Sequence, residues 1–174
     1  KTKLVLIGGE SPLFADVRIT INKYNDDVIF KGFVDDFELK EYYKKAKLVA
    51  YPSLYEGFGL PPLEAMASGT PVVTSKTSSI PEVVGDAAIT INPKSESELA
   101  EAMAKILLND VIRQELIRRG SLQVTKFNWY RVARQMLAAY HMTYQKSVNN
   151  SLSPHIPIEK WSLLRQIEAE KTAL

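Results

Sequence analysis

Five short runs of apolar, mostly β-branched residues recur along the chain: Leu4–Gly8, Val28–Gly32, Leu48–Pro52, Pro71–Ser75 and Ala87–Asn92. None shows the polar alternation of a strand with one wet face, so each predicts a strand buried on both sides. Helical spacing fills the intervals. Leu13, Phe14, Val17, Ile21 and Tyr24 fall on one helix face, although the β-branched residues of Val17–Ile21 weaken that reading. Asp35 with Glu38 has the form of a capping box opening a helix over Phe37–Ala46. Strands alternating with helices predict an α/β fold, a doubly wound parallel sheet covered on both faces.

Beyond Pro93 the pattern turns to helix alone. Ser95 and Glu98 make a second capping box, and Leu99, Met103, Ile106 and Leu107 form the apolar stripe of the helix it opens. A second helix runs from about Val111 to Gly120. A third starts after the N-cap Asn128 and carries Trp129, Val132, Ala133, Met136, Leu137 and Tyr140 on one face. The aromatic set Phe127, Trp129, Tyr130, Tyr140 and Tyr144 is read as core. Residues 1–146 thus form one domain, and 147–157, with two Asn, several Ser and two Pro, form a linker. A last helix, 158–174, aligns Ile158, Trp161, Leu164 and Arg165; its bases are matched by Glu159, Glu168 and Glu170, so packing on protein is favoured over a membrane surface.

Composition narrows the classes. The 174 residues are 45% hydrophobic and 24% charged, ordinary for a globular protein. A net charge of +2 offers no field for nucleic acid. No apolar run approaches the ~20 residues of a membrane span. There is no cysteine, hence no thiolate or disulfide chemistry, which fits a reducing, cytoplasmic setting. His141 and His155 lack partners at ligand spacing, so no metal site is expected. Lys40, Lys44, Lys45 and Lys47 read as a solvated helix face, and Asn149-Asn150-Ser151 as a sequon without consequence.

The chemistry lies between Tyr51 and Ser75. That stretch reads as strand, glycine-containing loop, short helix and strand. Gly57 and Gly59 permit positive φ and close approach of a ligand to the backbone. Pro61 and Pro62 suit the first helical positions, and Gly69 suits the C-terminal cap. A loop between a parallel strand and a helix is where open α/β sheets bind ligands, and the helix end attracts phosphate. Carboxylates, in contrast, suit hydroxyls. Glu56 and Glu64 beside a phosphate-friendly helix end therefore point to a ligand with both groups, a nucleotide sugar. The bland reading makes them solvated acids, Glu64 being favoured by the helix dipole.

Glu56-Gly-Phe-Gly-Leu-Pro-Pro-Leu-Glu64-Ala-Met-Ala resembles the signature of family 4 of the retaining glycosyltransferases. The likeness extends from Leu4–Gly9 through Val28–Val34 and Ser79–Ala88 to about Tyr144. It implies a Rossmann-like sheet, one half of a GT-B fold with C-terminal helices, binding a UDP- or GDP-sugar for retaining transfer of a hexose to a glycan or lipid-linked acceptor. Glu56 would be catalytic and hold the donor sugar's hydroxyls. Gly57 belongs to the same loop, and the amides of Phe58, Gly59 and Leu60 would donate to sugar or diphosphate oxygens. Glu64 would hold the ribose, and Phe33 and Val34 would lie beside the base. No cofactor is implied, the family being generally metal-independent.

The resemblance also implies a partner half, the N-terminal GT-B domain, and a segment bearing Arg and Lys for the diphosphate that Lys1 and Lys3 do not match. Transfer by this chain alone is not expected. The parent would be cytoplasmic, with peripheral association at the inner membrane face allowed. Two other readings compete: a non-catalytic nucleotide-sugar-binding scaffold module, and a GT-B phosphorylase or epimerase. Thr74–Ser79, rich in hydroxyls, and Glu82 are candidates for donor contact, with ordinary loop and helix-start roles as the alternatives.

Overall fold

The computed structural model describes residues 2–9, 23–24 and 26–149. Five strands appear where the apolar runs predict them: β1 (Leu4–Ile7), β2 (Val28–Gly32), β3 (Val49–Tyr51), β4 (Val72–Ser75) and β5 (Ala88–Ile91). All pairings among the described residues are parallel. β1 pairs with β2, Leu4 opposite Val28. The second ladder runs β3-β4-β5, with Tyr51 opposite Thr74 and Thr74 opposite Thr90. Lys47 Nζ donates to Thr2 Oγ1 at 3.3 Å, joining the entrance of β3 to that of β1.

The helices are α1 (Asp36–Lys45), α2 (Leu60–Ala67), α3 (Ile80–Val84), α4 (Glu96–Leu108), α5 (Asp110–Val124) and α6 (Trp129–Asn149). The chain divides into two compact units, Lys1–Val124 and Thr125–Leu174. In the first, Val73, Ile91, Ala102, Ile106 and Leu116 form a core cluster against which Leu48, Ile89, Leu99, Met103 and Ile112 pack. In the second, α6 is opened by Asn128, whose Oδ1 accepts from Tyr130 N at 2.8 Å, the N-cap expected of it.

Several expectations are corrected. Only β4 is buried along its whole length. Among the described residues it alone is paired on both edges, whereas β1 and β2 pair there only with each other and leave Leu4 and Phe30 exposed. The Ser95 box is half a box. Ser95 Oγ accepts from Glu98 N at 3.2 Å, but the Glu98 carboxylate accepts from Asn92 N at 2.8 Å and pairs with Lys76. Leu107 lies outside the buried stripe of α4, which is Ala102 and Ile106.

Gly120 does not end its helix. α5 continues to Val124, and a Cβ at Gly120 would stand 3.2 Å from Met66 Cγ, so this glycine lets α5 approach α2. Trp129 (84% exposed), Tyr130 and Tyr140 are surface residues of α6 and not core. The helix also takes in 147–149, the first residues of the expected linker. The rest of that linker, the terminal helix and most of the helix read over Leu13–Tyr24 lie outside the described residues.

Candidate functional site

The expected site residues lie in the loops that follow β2 and β3 and, for Leu60 and Glu64, in the first two turns of α2. The loop after β3 is the most constrained. Gly59, the N-cap of α2, has φ +108, and a Cβ there would meet Ile80 Cδ1 at 2.6 Å. Only glycine satisfies both conditions. Gly57 is different: its φ is not positive and a Cβ would meet nothing within 4 Å, so its expected conformational role is absent. Pro61 and Pro62 sit in the first turn of α2, and Gly69, with φ +77, follows its last turn as expected.

Hydroxyls of the loop after β4 brace this segment. Thr77 Oγ1 donates to Leu54 O at 3.2 Å, and Ser79 Oγ lies 2.9 Å from both Glu56 O and Phe58 O. Ser78 Oγ donates to Glu56 O and accepts from Glu56 N. Ser78 adopts φ +59 to do so. Within the hydroxyl-rich Thr74–Ser79 stretch, the hydroxyls of Thr77, Ser78 and Ser79 are thus engaged by carbonyls of the glutamate loop. Glu82 lies exposed in the first turn of the short α3.

Each glutamate is held by a tyrosine that sequence reading did not single out. Tyr51, the last residue of β3, donates its hydroxyl to Glu56 Oε1 at 2.6 Å. Tyr43, from α1, donates to Glu64 Oε2 at 3.2 Å. The phenol of Tyr51 is the main cause that lowers the Glu56 carboxyl below its ordinary value, with Ser53 second and burial opposing. Ser53 has a single hydroxyl proton and also faces Tyr55 O at 3.2 Å, so Tyr51 is the constant donor. Burial first, then the bond to Glu56, pushes Tyr51 up to about 12. Burial, followed by the charge of Glu64, raises Tyr43 as well. Both phenols therefore remain protonated donors at physiological pH.

Glu56 is half-buried and Glu64 exposed. No acid stands in the first turn of α2, so Glu64 lies beyond the reach of the helix-end dipole. Phe58 and Leu60 flank the loop with exposed apolar surface. Phe33 and Val34 follow β2 in the other ladder. The Phe33 ring, 88% exposed, lies over the backbone of Gly9, and Gly8 N donates to Gly32 O; these described contacts join the loops after β1 and β2. Among the described residues no group of three His, Asp or Glu side chains is placed to hold a metal, and His141 contacts Gln145.

A parallel α/β unit whose strand ends carry a braced loop flanked by two held carboxylates belongs to the ligand-binding Rossmann-like class. The family described as glycosyl transferases group 1 matches residues 1–123, and the chain belongs to it. The chain is 40% identical over 113 residues to the O-antigen chain mannosyltransferase B of Escherichia coli, covering 65% of this chain and 30% of that protein. Among solved structures it resembles sucrose-phosphate synthase from Thermosynechococcus elongatus, with a TM-score of 0.72 and 33% identity. That match covers 83% of this chain and 39% of the other. It also resembles the C-terminal domain of a glycosyl transferase group 1 family protein from Francisella tularensis, with a TM-score of 0.63 and 29% identity over 71% and 68% of the two chains. The fold is one half of the GT-B type. The chain spans less than a third of the length of the E. coli relative.

Proposed function

We propose that this chain is the donor-binding half of a retaining, metal-independent family 4 glycosyltransferase. Its donor is a UDP- or GDP-linked hexose, and its acceptor a glycan or lipid-linked glycan. The observation that carries this reading is the pair of carboxylates, Glu56 and Glu64, each anchored by one phenol and set on either side of the Gly59 turn. Anchored carboxylates are acceptors for hydroxyls. The start of α2 supplies amides and the positive end of a helix dipole to a diphosphate. In this reading Glu56 holds the sugar, Glu64 the ribose, and Phe33 and Val34 border the base.

Amides and dipole stabilise the departing nucleoside diphosphate without a metal ion. The mannosyltransferase name of the E. coli relative supports a hexose, and mannose in particular, as the transferred sugar. The other half of the cleft, an N-terminal GT-B domain, supplies the acceptor site. We place the parent enzyme in the cytoplasm, at the inner face of the membrane when its acceptor is lipid-linked.

The test is a ligand-observed NMR titration of the chain with UDP, GDP and ADP, repeated with Glu64→Ala. Half a cleft supports millimolar binding, about −4 kcal/mol. One nucleotide is expected to bind, and Glu64→Ala to lose it. Binding of all three alike, unaffected by the substitution, would remove the basis for this reading.

A further inference from the structure

Behind each tyrosine stands a buried threonine. Thr74 Oγ1 donates to Tyr51 O at 2.8 Å, and Tyr51 OH donates to Glu56. Thr70 Oγ1 donates to Tyr43 O, and Tyr43 OH donates to Glu64. Thr70 and Thr74 are both buried and bracket the start and body of β4, the strand buried along its whole length. Thr74 lies in β4 and Thr70 two residues before it; from this short segment one threonine holds the main chain of Tyr51 in β3, which reaches Glu56, and the other that of Tyr43 in α1, which reaches Glu64.

A carboxylate with one oxygen tied to a phenol cannot rotate freely. Free glutamate side chains lose appreciable rotamer entropy on binding; a tied one has lost part of it already. We propose that Tyr51 and Tyr43 are positioning residues that divide donor recognition into two separable halves, Tyr51 presenting Glu56 to the sugar and Tyr43 presenting Glu64 to the ribose. The proposal rests on the donor-binding reading above. Neither tyrosine touches the donor in this scheme; each acts through its acid.

The experiment uses the 174-residue chain, its Tyr51→Phe and Tyr43→Phe variants, and four probes: UDP, GDP, UDP-glucose and GDP-mannose. Phenylalanine keeps the ring and removes the donor. For the nucleotide that binds, Tyr51→Phe is expected to weaken the nucleotide sugar roughly threefold to tenfold more than the bare nucleotide. Tyr43→Phe is expected to weaken both by the same factor, since ribose is common to them. Equal effects of Tyr51→Phe on nucleotide and nucleotide sugar overturn the division.

A second readout needs no ligand. In chain carrying carboxyl-labelled glutamate, assigned with Glu56→Gln, the Glu56 midpoint is expected to rise in Tyr51→Phe and to stay in Tyr43→Phe. An unmoved Glu56 midpoint overturns the positioning role of Tyr51. If no probe binds the native chain, the donor reading fails for the isolated chain, while the carboxyl titration still decides the positioning role by the same criterion. Should Tyr51→Phe unfold, 3-fluorotyrosine at position 51 keeps the ring and makes its hydroxyl a stronger donor, and the Glu56 midpoint is expected to fall; an unmoved midpoint again overturns the positioning role.

Discussion

Ile80 fills the space that a side chain at Gly59 would need, its Cδ1 standing 2.6 Å from the position of a Cβ there. Ile80 is fully buried and has little room to yield. With φ at +108, any other residue at 59 is strained even before that collision. Gly59→Ala is expected to destabilise the domain by about 1–3 kcal/mol. Ile80→Val, which removes Cδ1, is expected to cost about 0.5–1.5 kcal/mol alone. Denaturant unfolding of the double variant should give less than the sum, because the collision disappears while the backbone strain remains. Strict additivity would show that the two positions do not meet.

Ser79 offers one hydroxyl to two carbonyls of the glutamate loop. Ser79→Ala is expected to cost about 1 kcal/mol. Its clearer signature is local: amide hydrogen exchange should speed up from Glu56 to Gly59 while the core strands keep their protection. Uniform acceleration through the whole unit would mean that the serine supports the fold and not the loop.

Ile106 is fully buried in the cluster of Val73, Ile91, Ala102 and Leu116, whereas Leu108, two residues further along α4, is exposed. Ile106→Ala is expected to lose about 2–5 kcal/mol. Leu108→Ala should stay within about 0.5 kcal/mol of the native chain. Equal losses, measured by denaturant unfolding, would contradict the placement of α4.

Glu115 lies beside Arg118 and Arg119, whose guanidinium hydrogen bonds hold its carboxyl down at about 2. A depressed carboxyl adds stability above its unfolded-state value, and that stability is lost as pH falls through the folded-state value. Native chain is therefore expected to melt above Glu115→Gln at neutral pH. The gap should narrow as pH falls below the ordinary carboxylate range and close near pH 2. The group is solvent-exposed, so salt should shrink the gap as well.

The sequence announced the strands because β-branched runs bounded by Gly and Pro have few other readings, and all five appear within a residue or two of their expected limits. Burial was less legible. It depends on whether a strand has neighbours on both edges, and only β4 does so within the ladders described. Gly120 misled because a glycine after a periodic segment looks like a helix end, while here it makes room for Met66. The two glutamates were visible in their motif. Their tyrosines were not: Tyr43 reaches Glu64 from another helix, and Tyr51 looks like one more apolar residue at the end of a strand. The serines were visible as composition, but the carbonyls they serve belong to a loop far back in the chain.

Because the tyrosines that hold the two carboxylates are themselves held by Thr70 and Thr74, four residues apart at the start of β4 and within it, the separation between the acids has one reference segment. Substitutions that shift β1 or β2, which pair with each other outside the β3-β4-β5 ladder, leave that segment in place and the span from Glu56 to Glu64 unchanged. In the donor-binding reading proposed above, the pair acts as a gauge of fixed length for two hydroxyl-bearing groups on one ligand. Such a gauge tolerates drift in the surrounding sequence, and a change in the length of ligand it accepts would have to begin at Thr70, Thr74 or the tyrosines they hold.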